Sequence, residues 1–576
     1  MTALQQDTRT RHDSVEWGVR ERQRERLAGE TFDLLVVGGG VTGCGVALDA
    51  ASRGLSVALV EKHDFAAGTS SRSSKLIHGG LRYLERFDLG LVREALHERR
   101  LLVQRLAPHL VHPTPFLLPL EHGLRDRVYL GAGLLLYDSL AGTRPAMPRH
   151  RHLTRRACLR AAPSLRADAL TGGIGYYDAQ VDDARFAVTL ARTAEAHGAV
   201  CVSAVEVDAF LRDGERITGV HVRDLERGDE LDVRCRVVVN ATGVWTTELE
   251  RLAGVRRPLV VRPSKGVHIV VPADRITSRL ALILPTEKSV LFVLPWGKHW
   301  IIGTTDTDWE FGLEHPSATR ADIEYLLGHA NAILRDPLTT DDIIAVYVGL
   351  RPLVAEGEKD TAEVSREHVV RAGAPGLVSI AGGKYTTYRI MARDAVDVAA
   401  RDLPFAVPAS RTADVPLLGA LGAAEAEPRA RLHPGAAGLS NDQVRHLVGR
   451  YGTVALAVLD LVARDPALGA PLPGAEDYLR AEVPFAVLHE GARHVDDVLT
   501  RRTHIAFEAS DRGRRAVEDV AGLMAPALGW GSDDVAREIA HYRARLDAEK
   551  AAQAMLDDAS SASVRGTVHD LRDDEG

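Results

Sequence analysis

The apolar run FDLLVV, Phe32–Val37, breaks into three glycines. VTGCGVALDAASRG follows, with apolar positions at helical spacing and a glycine stop at Gly54. A second run, LSVALV, ends at Glu61 and Lys62. Continuous apolar strands are what parallel strands covered on both faces require, so the order strand, glycine turn, helix, strand predicts a βαβ unit. Residues 86–110 carry a helical pattern. TLARTAEAHGA, Thr189–Ala199, is a second helix with a glycine stop, and CVSAVEVDAF, ITGVHVRD and CRVVVNATG read as strands.

From about 257 to 310 the apolar positions alternate, around PSKGVHIVV, SVLFVLPW and HWIIGTT. That alternation predicts an antiparallel sheet, mainly within 255–350. GLVSIAGGKYTTYRIMARDAVDVAA, Gly376–Ala400, returns to strand, glycine turn and helix. Residues 406–440 are rich in Pro, Ala and Gly and read as a linker. Beyond them the pattern is helical over 441–548. Ser440 and Gln443 form a capping box, and Val444, Leu447, Val448 and Tyr451 make one apolar stripe. The ends, 1–30 and 549–576, are polar. The first is expected to be a tail or surface helix and the second to be disordered. The expected fold class is α/β (α+β): a Rossmann-like binding domain, with a substrate domain and residues 31–405 as one portion, followed by an all-helical domain.

Composition narrows the class. A chain of 576 residues exceeds one hydrophobic core. Lys+Arg 71 against Asp+Glu 79 gives a net charge of −8, which argues against a general nucleic-acid binder. The four cysteines are far apart and form no CxxC pair, so neither a metal site nor a disulfide framework is expected. Cys44 reads as a packing residue. The N-terminal segment has no apolar core of a secretory signal. VYLGAGLLLY, Val128–Tyr137, is about half the ~20 residues a spanning helix needs. With RDR before it, that segment suits either an interfacial membrane contact or a core helix.

The glycines carry the first chemistry. Gly38-x-Gly40-x-x-Gly43 follows a strand and opens a helix, and Glu61 ends the next strand. The first glycine permits a tight turn, the second lets backbone approach a pyrophosphate, and the third lets helix and strand pack closely. The helix N-terminus offers N–H groups to a diphosphate, and Glu61 can accept from a ribose. Two later turns, Ala241-Thr242-Gly243 and the Gly-Gly of SIAGGKYTTYR, also end strands. Three such turns over about 350 residues suit an extended flavin better than a nicotinamide module.

Together with these, SSKLIHGGLRYLE, NATGVW, KGVHIVV, VGLRPL, SREH and DDVLTRRT make the chain resemble the FAD-dependent glycerol-3-phosphate dehydrogenases of the D-amino-acid-oxidase-like superfamily, over roughly residues 30 to 545. The resemblance implies oxidation of sn-glycerol 3-phosphate to dihydroxyacetone phosphate by hydride transfer to a non-covalent FAD. It further implies a membrane quinone as acceptor; the apolar segment Val128–Leu140 with RDR before it is read as a peripheral attachment to the cytoplasmic face of the membrane. A homodimer is also compatible.

The implied cofactor residues are Gly38, Gly40, Thr42, Gly43, Glu61 and Lys62 in the first unit. Thr69, Ser70, Ser74, Lys75, Leu76, His78, Gly79 and Gly80 follow in the loop after it. Val207, then Ala241, Thr242 and Gly243, then Gly383, Lys384, Tyr385 and Thr386 complete the set. The substrate cations are Arg82, Arg351, Arg366 and Lys384, with Tyr83 as a positioning group; arginine's planar fork suits a phosphate dianion. His268 and His78 are the candidate bases for the hydroxyl proton, His268 being preferred, and Arg351 would stabilise a developing alkoxide. No metal is expected. An oxidase of the same substrate using O2, an amine or amino-acid oxidase on the same fold, and a non-enzymatic flavin-binding protein are the alternatives.

Overall fold

The computed structural model describes residues 20–572 except 87, 143–146, 287–289 and 355–366. Two large sheets and a helical domain make up the molecule. The first sheet runs His368–Ala374, Leu377–Gly382, Glu230–Asn240, Thr31–Val37, Val57–Glu61 and Val200–Ser203 from edge to edge. All neighbours are parallel except the outer pair, His368–Ala374 with Leu377–Gly382.

Side chains alternate across this sheet as the pleat demands. Leu34 and Val36 face the helices Val41–Ser52, Asp183–Ala196 and Tyr388–Ala399. Leu35 and Val37 face a second core under the antiparallel hairpin Val205–Asp213 and Arg216–Asp224. Burial on both faces explains the unbroken apolar runs.

The second sheet is built around Val261–Pro272, which pairs antiparallel with His299–Gly303 on one side and Ala345–Val354 on the other. It also recruits Leu76–Ile77, Val111–Leu120 and Gly172–Val181, so it reaches far outside the expected 255–350 window. Val111–Leu120 pairs with Gly172–Val181 across 52 to 70 residues, and sequence alternation does not mark such register.

Two expectations about the C-terminal part are corrected. The segment 406–440 is folded, with a helix Ala423–Arg431 and buried Leu417, Leu418, Ala426 and Ala430. Its alanines pack as a helix rather than loosening a linker. Residues 549–572 are also ordered: the helix Ser532–Ala552 is followed by Asp558–Arg565, and Arg572 is buried, while 573–576 lie outside the described residues. At the other terminus, Arg20–Gly29 forms a helix whose Arg20 pairs with buried Asp224 at 2.7 Å.

The capping box at Ser440 and the stripe of Val444, Leu447 and Tyr451 form as expected. Asn441–Arg464 is, among the described residues, the one helical stretch long and apolar enough to cross a membrane. Val444, Leu447, Val458 and Leu459 bury its apolar face in the helical domain.

Candidate functional site

A cavity of about 1360 Å³ lies beyond the carboxyl ends of the parallel strands and runs to the second sheet. Ligands bind open α/β sheets at that edge. A drug-sized pocket is ~300–1,000 Å³, so this one has room for a dinucleotide and a small substrate together.

The glycine turn builds one wall. Gly38 has φ +110°, and a Cβ there would stand 2.7 Å from the Ala241 carbonyl oxygen. A Cβ on Gly43 would lie 1.8 Å from the Gly38 oxygen, so Gly43 supports the turn from below and does not line the cavity. The helix that begins at Val41 has no side-chain cap at Gly40. Ser70 takes the first of its N–H groups, and the rest of the turn presents N–H groups and positive dipole, which fit a diphosphate. Glu61 Oε2 accepts from the Gly39 N–H at 2.6 Å, closing the turn onto the second strand. Gly40, Thr42, Glu61, Lys62 and Val207 lie on this wall, and Lys62 pairs there with Glu314 at 3.0 Å. Ala241, Thr242 and Gly243 form the adjoining turn, held where Asn240 Oδ1 accepts from Thr242 Oγ1 at 2.7 Å.

The loop 68–85 joins the two sheets. Ser70 Oγ accepts from the Val41 N–H at 2.9 Å, and Thr69 Oγ1 donates to the Leu350 carbonyl at 2.6 Å. Thr69, Ser70, Ser74, Leu76, His78, Gly80 and Tyr83 border the cavity. Lys75 does not: its Nζ is buried and donates to Asp183 Oδ1 at 2.5 Å, so the expected cofactor contact is corrected to a structural ion pair. Gly79 is also behind the wall, donating to Tyr137 Oη at 2.9 Å. Thr386 likewise supports rather than lines, because its Oγ1 accepts from the His78 N–H at 3.1 Å. Gly383, Lys384 and Tyr385 reach the cavity, and Lys384 Nζ sits 3.6 Å over the Tyr83 ring. Arg82 has its backbone in the turn Leu81–Arg86, with its side chain outside the described set; Arg366 lies outside the described residues.

The substrate end is set by two strands of the second sheet. Arg351 lies opposite Ser264 in register, and His268 opposite Tyr347. The Arg351 guanidinium donates to Asp306 Oδ1 at 3.2 Å, Thr304 Oγ1 at 3.1 Å and the Thr305 carbonyl at 3.0 Å. A Cβ on Gly266 would meet it at 2.8 Å, so glycine opens the space it occupies.

His268 stacks on Tyr347 with ring centroids 4.6 Å apart, and its Nε2 is 2.9 Å from Ser74 Oγ. Burial, reinforced by the charges of Arg351 and Lys75, holds its pKa well below that of a free imidazole. His78 is pulled down to about 4, by burial first; Asp178 opposes this while Lys384 and Arg99 add to it. Both rings are therefore neutral at neutral pH.

Several wall residues are given no role by the motifs. Trp245 covers Gly68 closely enough that a Cβ there would stand 3.2 Å from the indole. Arg72 faces Arg501 and Arg565, whose charges add to burial in lowering its pKa to about 10. Asp306 has no motif around it, and only the fold reveals its pairing with Arg351. Cys44 is buried as expected.

The residues present fit an extended FAD: a side-chain-free turn, an open helix end and a carboxylate on one wall, with a polar loop leading to a second, cationic end. Residues 33–389 match the FAD dependent oxidoreductase family, and 410–535 match the C-terminal domain of alpha-glycerophosphate oxidase. The chain is 53% identical over 549 residues to glycerol-3-phosphate dehydrogenase 2 of Mycobacterium bovis, covering 95% of this chain and 94% of that protein. It is 37% identical to the mitochondrial glycerol-3-phosphate dehydrogenase of Mus musculus, covering 87% and 71% of the two chains. The structure of glycerol-3-phosphate dehydrogenase from Bacillus halodurans complexed with FAD superposes with a TM-score of 0.76 at 30% identity, covering 92% of this chain and 96% of that one. The chain therefore belongs to the FAD-dependent glycerol-3-phosphate dehydrogenase family.

Proposed function

We propose that the protein oxidises sn-glycerol 3-phosphate to dihydroxyacetone phosphate and passes the electrons to a membrane quinone, at the cytoplasmic face of a membrane to which it attaches peripherally. The observation that carries the reaction is one cavity with the dinucleotide turn at one end and His268, Arg351 and Lys384 at the other. Bound in it, FAD supplies the two-electron acceptor for the carbinol carbon. Arg351 and Lys384 offer charge-assisted donors for the phosphate or the developing alkoxide. His268, neutral in the protein, can take the hydroxyl proton at Nε2, the atom that faces Ser74. A bound dianion beside Arg351 would offset part of the positive charge that depresses its basicity.

Support for the membrane comes from the helix Leu124–Leu140. Leu124, Val128, Tyr129, Leu135 and Leu136 are exposed along it, so its apolar stripe faces outward and the core-helix alternative loses weight. The strand Arg151–Thr154 packs beside this helix, near exposed Arg149, Arg151, Arg155 and Arg156. An apolar stripe next to a basic surface suits an anionic bilayer. Tyr129 and Leu130 also border the cavity, so a lipid-soluble acceptor has a short path inward. Holoenzyme given glycerol 3-phosphate should reduce a ubiquinone or menaquinone analogue. Hydrogen peroxide formed in step with substrate, with the quinone left oxidised, would overturn the acceptor reading in favour of an oxidase.

A further inference from the structure

The last described residues cross all three parts of the molecule. Arg320 at the start of the helix Arg320–Asn331 donates its N–H to the Met555 carbonyl at 2.9 Å. The helix Asp558–Arg565 then docks on the second sheet. Asp558 pairs with buried Lys265, and fully buried Ser561 donates to Ser317 Oγ at 2.8 Å. The chain next turns into the cavity, where Val568 to Arg572 form part of the wall with Glu61, Lys62 and His63.

This tip is fixed on both sides. The His569 carbonyl accepts from His541 of the helical domain at 2.7 Å. Asp570 Oδ2 lies 3.7 Å from His63 Nδ1, two residues beyond Glu61. Arg572 is buried and donates to Asp497 Oδ2 at 2.7 Å, with Glu226 of the first-sheet domain 3.6 Å away. A buried arginine with two carboxylate partners holds a chain end far more firmly than a solvated tail does.

Glu61 marks the end of the cavity where the dinucleotide turn holds a ribose. We infer that residues 566–572 are part of the cofactor site, closing the cavity over the adenosine half of FAD and setting how fast the cofactor leaves. Its contact with His63, two residues beyond Glu61, places it at the dinucleotide end, so it acts on retention. The inference rests on the family's FAD and is independent of the acceptor and membrane readings.

The test is the rate of FAD release from holoenzyme, read as flavin fluorescence returning after dilution. Two proteins are compared with the parent: a chain ending at Arg565, and full-length Arg572→Met, which leaves Asp497 still paired with Arg501. Release should accelerate about tenfold or more in both, and reconstitution with FMN, which lacks the adenosine half, should be unchanged. Should the shortened chain fail to fold, the full-length variant decides alone. Release within about twofold of the parent, or equal losses for FAD and FMN, would overturn the inference, the second outcome making the segment a general support of the fold.

Discussion

His268 Nε2 and Ser74 Oγ stand 2.9 Å apart, joining the central strand of the second sheet to the loop that follows the dinucleotide unit. Two residues 194 positions apart thus meet at the junction of the cofactor and substrate ends. His268→Gln keeps a hydrogen-bonding side chain and removes the base. It should lower kcat by about 10²–10³ with a smaller change in KM, and flatten the acid limb of the kcat/KM profile. Ser74→Ala should cost less and shift that limb. A His268→Gln enzyme with the parent's pH profile would remove His268 from proton transfer.

Arg351 is held by Asp306, Thr304 and a backbone carbonyl, so its direction is fixed before a substrate arrives. Arg351→Ala should cost about 2–3 kcal/mol of transition-state stabilisation, roughly a hundredfold in kcat/KM. Asp306→Asn keeps the cation and loosens its aim, so steady-state kinetics should show an intermediate loss. An unchanged kcat/KM in Arg351→Ala would place the phosphate elsewhere.

The outward stripe of Leu124–Leu140 is tested by charge. Val128→Glu with Leu135→Glu should abolish co-sedimentation with vesicles containing anionic lipid and leave flavin content intact. Each glutamate in the apolar layer costs about 2–3 kcal/mol, enough for a hundredfold or greater loss of binding. If the parent ignores vesicles but forms a dimer that these changes break, the stripe is a subunit interface.

His494 provides a stability signature. Burial and the nearby Arg572 pull its pKa down, but hydrogen bonds to Glu226 and Glu538 outweigh them and raise it to about 10. A folded pKa above the unfolded ~6.5 means that the contribution is complete below pH 6.5 and fades as pH rises through about 10. Denaturation midpoints should therefore fall between those limits, and His494→Gln should flatten that fall. A parent whose alkaline loss matches the variant's would show that the pair contributes nothing.

What was legible in the chain was local. The turn at Gly38, Gly40 and Gly43 needs backbone freedom within six residues, and the sequence states it directly. Lys75 resembles a cofactor contact because it sits among the hydroxyl side chains of the loop that borders the cavity. Asp183, 108 positions later, takes its charge. The segment after 549 read as disordered because its composition is polar, whereas Arg572 is ordered by Asp497, 75 residues away. The strands Val111–Leu120 and Gly172–Val181 gave no sign of belonging to the second sheet, since pairing register is a property of two distant segments.

The central claim, oxidation of glycerol 3-phosphate at a bound flavin, is tested most directly without oxygen or added acceptor. Stoichiometric sn-glycerol 3-phosphate is mixed with holoenzyme in a stopped-flow instrument, and the visible absorbance of the flavin is followed. The account predicts rapid bleaching with one dihydroxyacetone phosphate formed per flavin. A flavin that keeps its visible band at saturating substrate would contradict it.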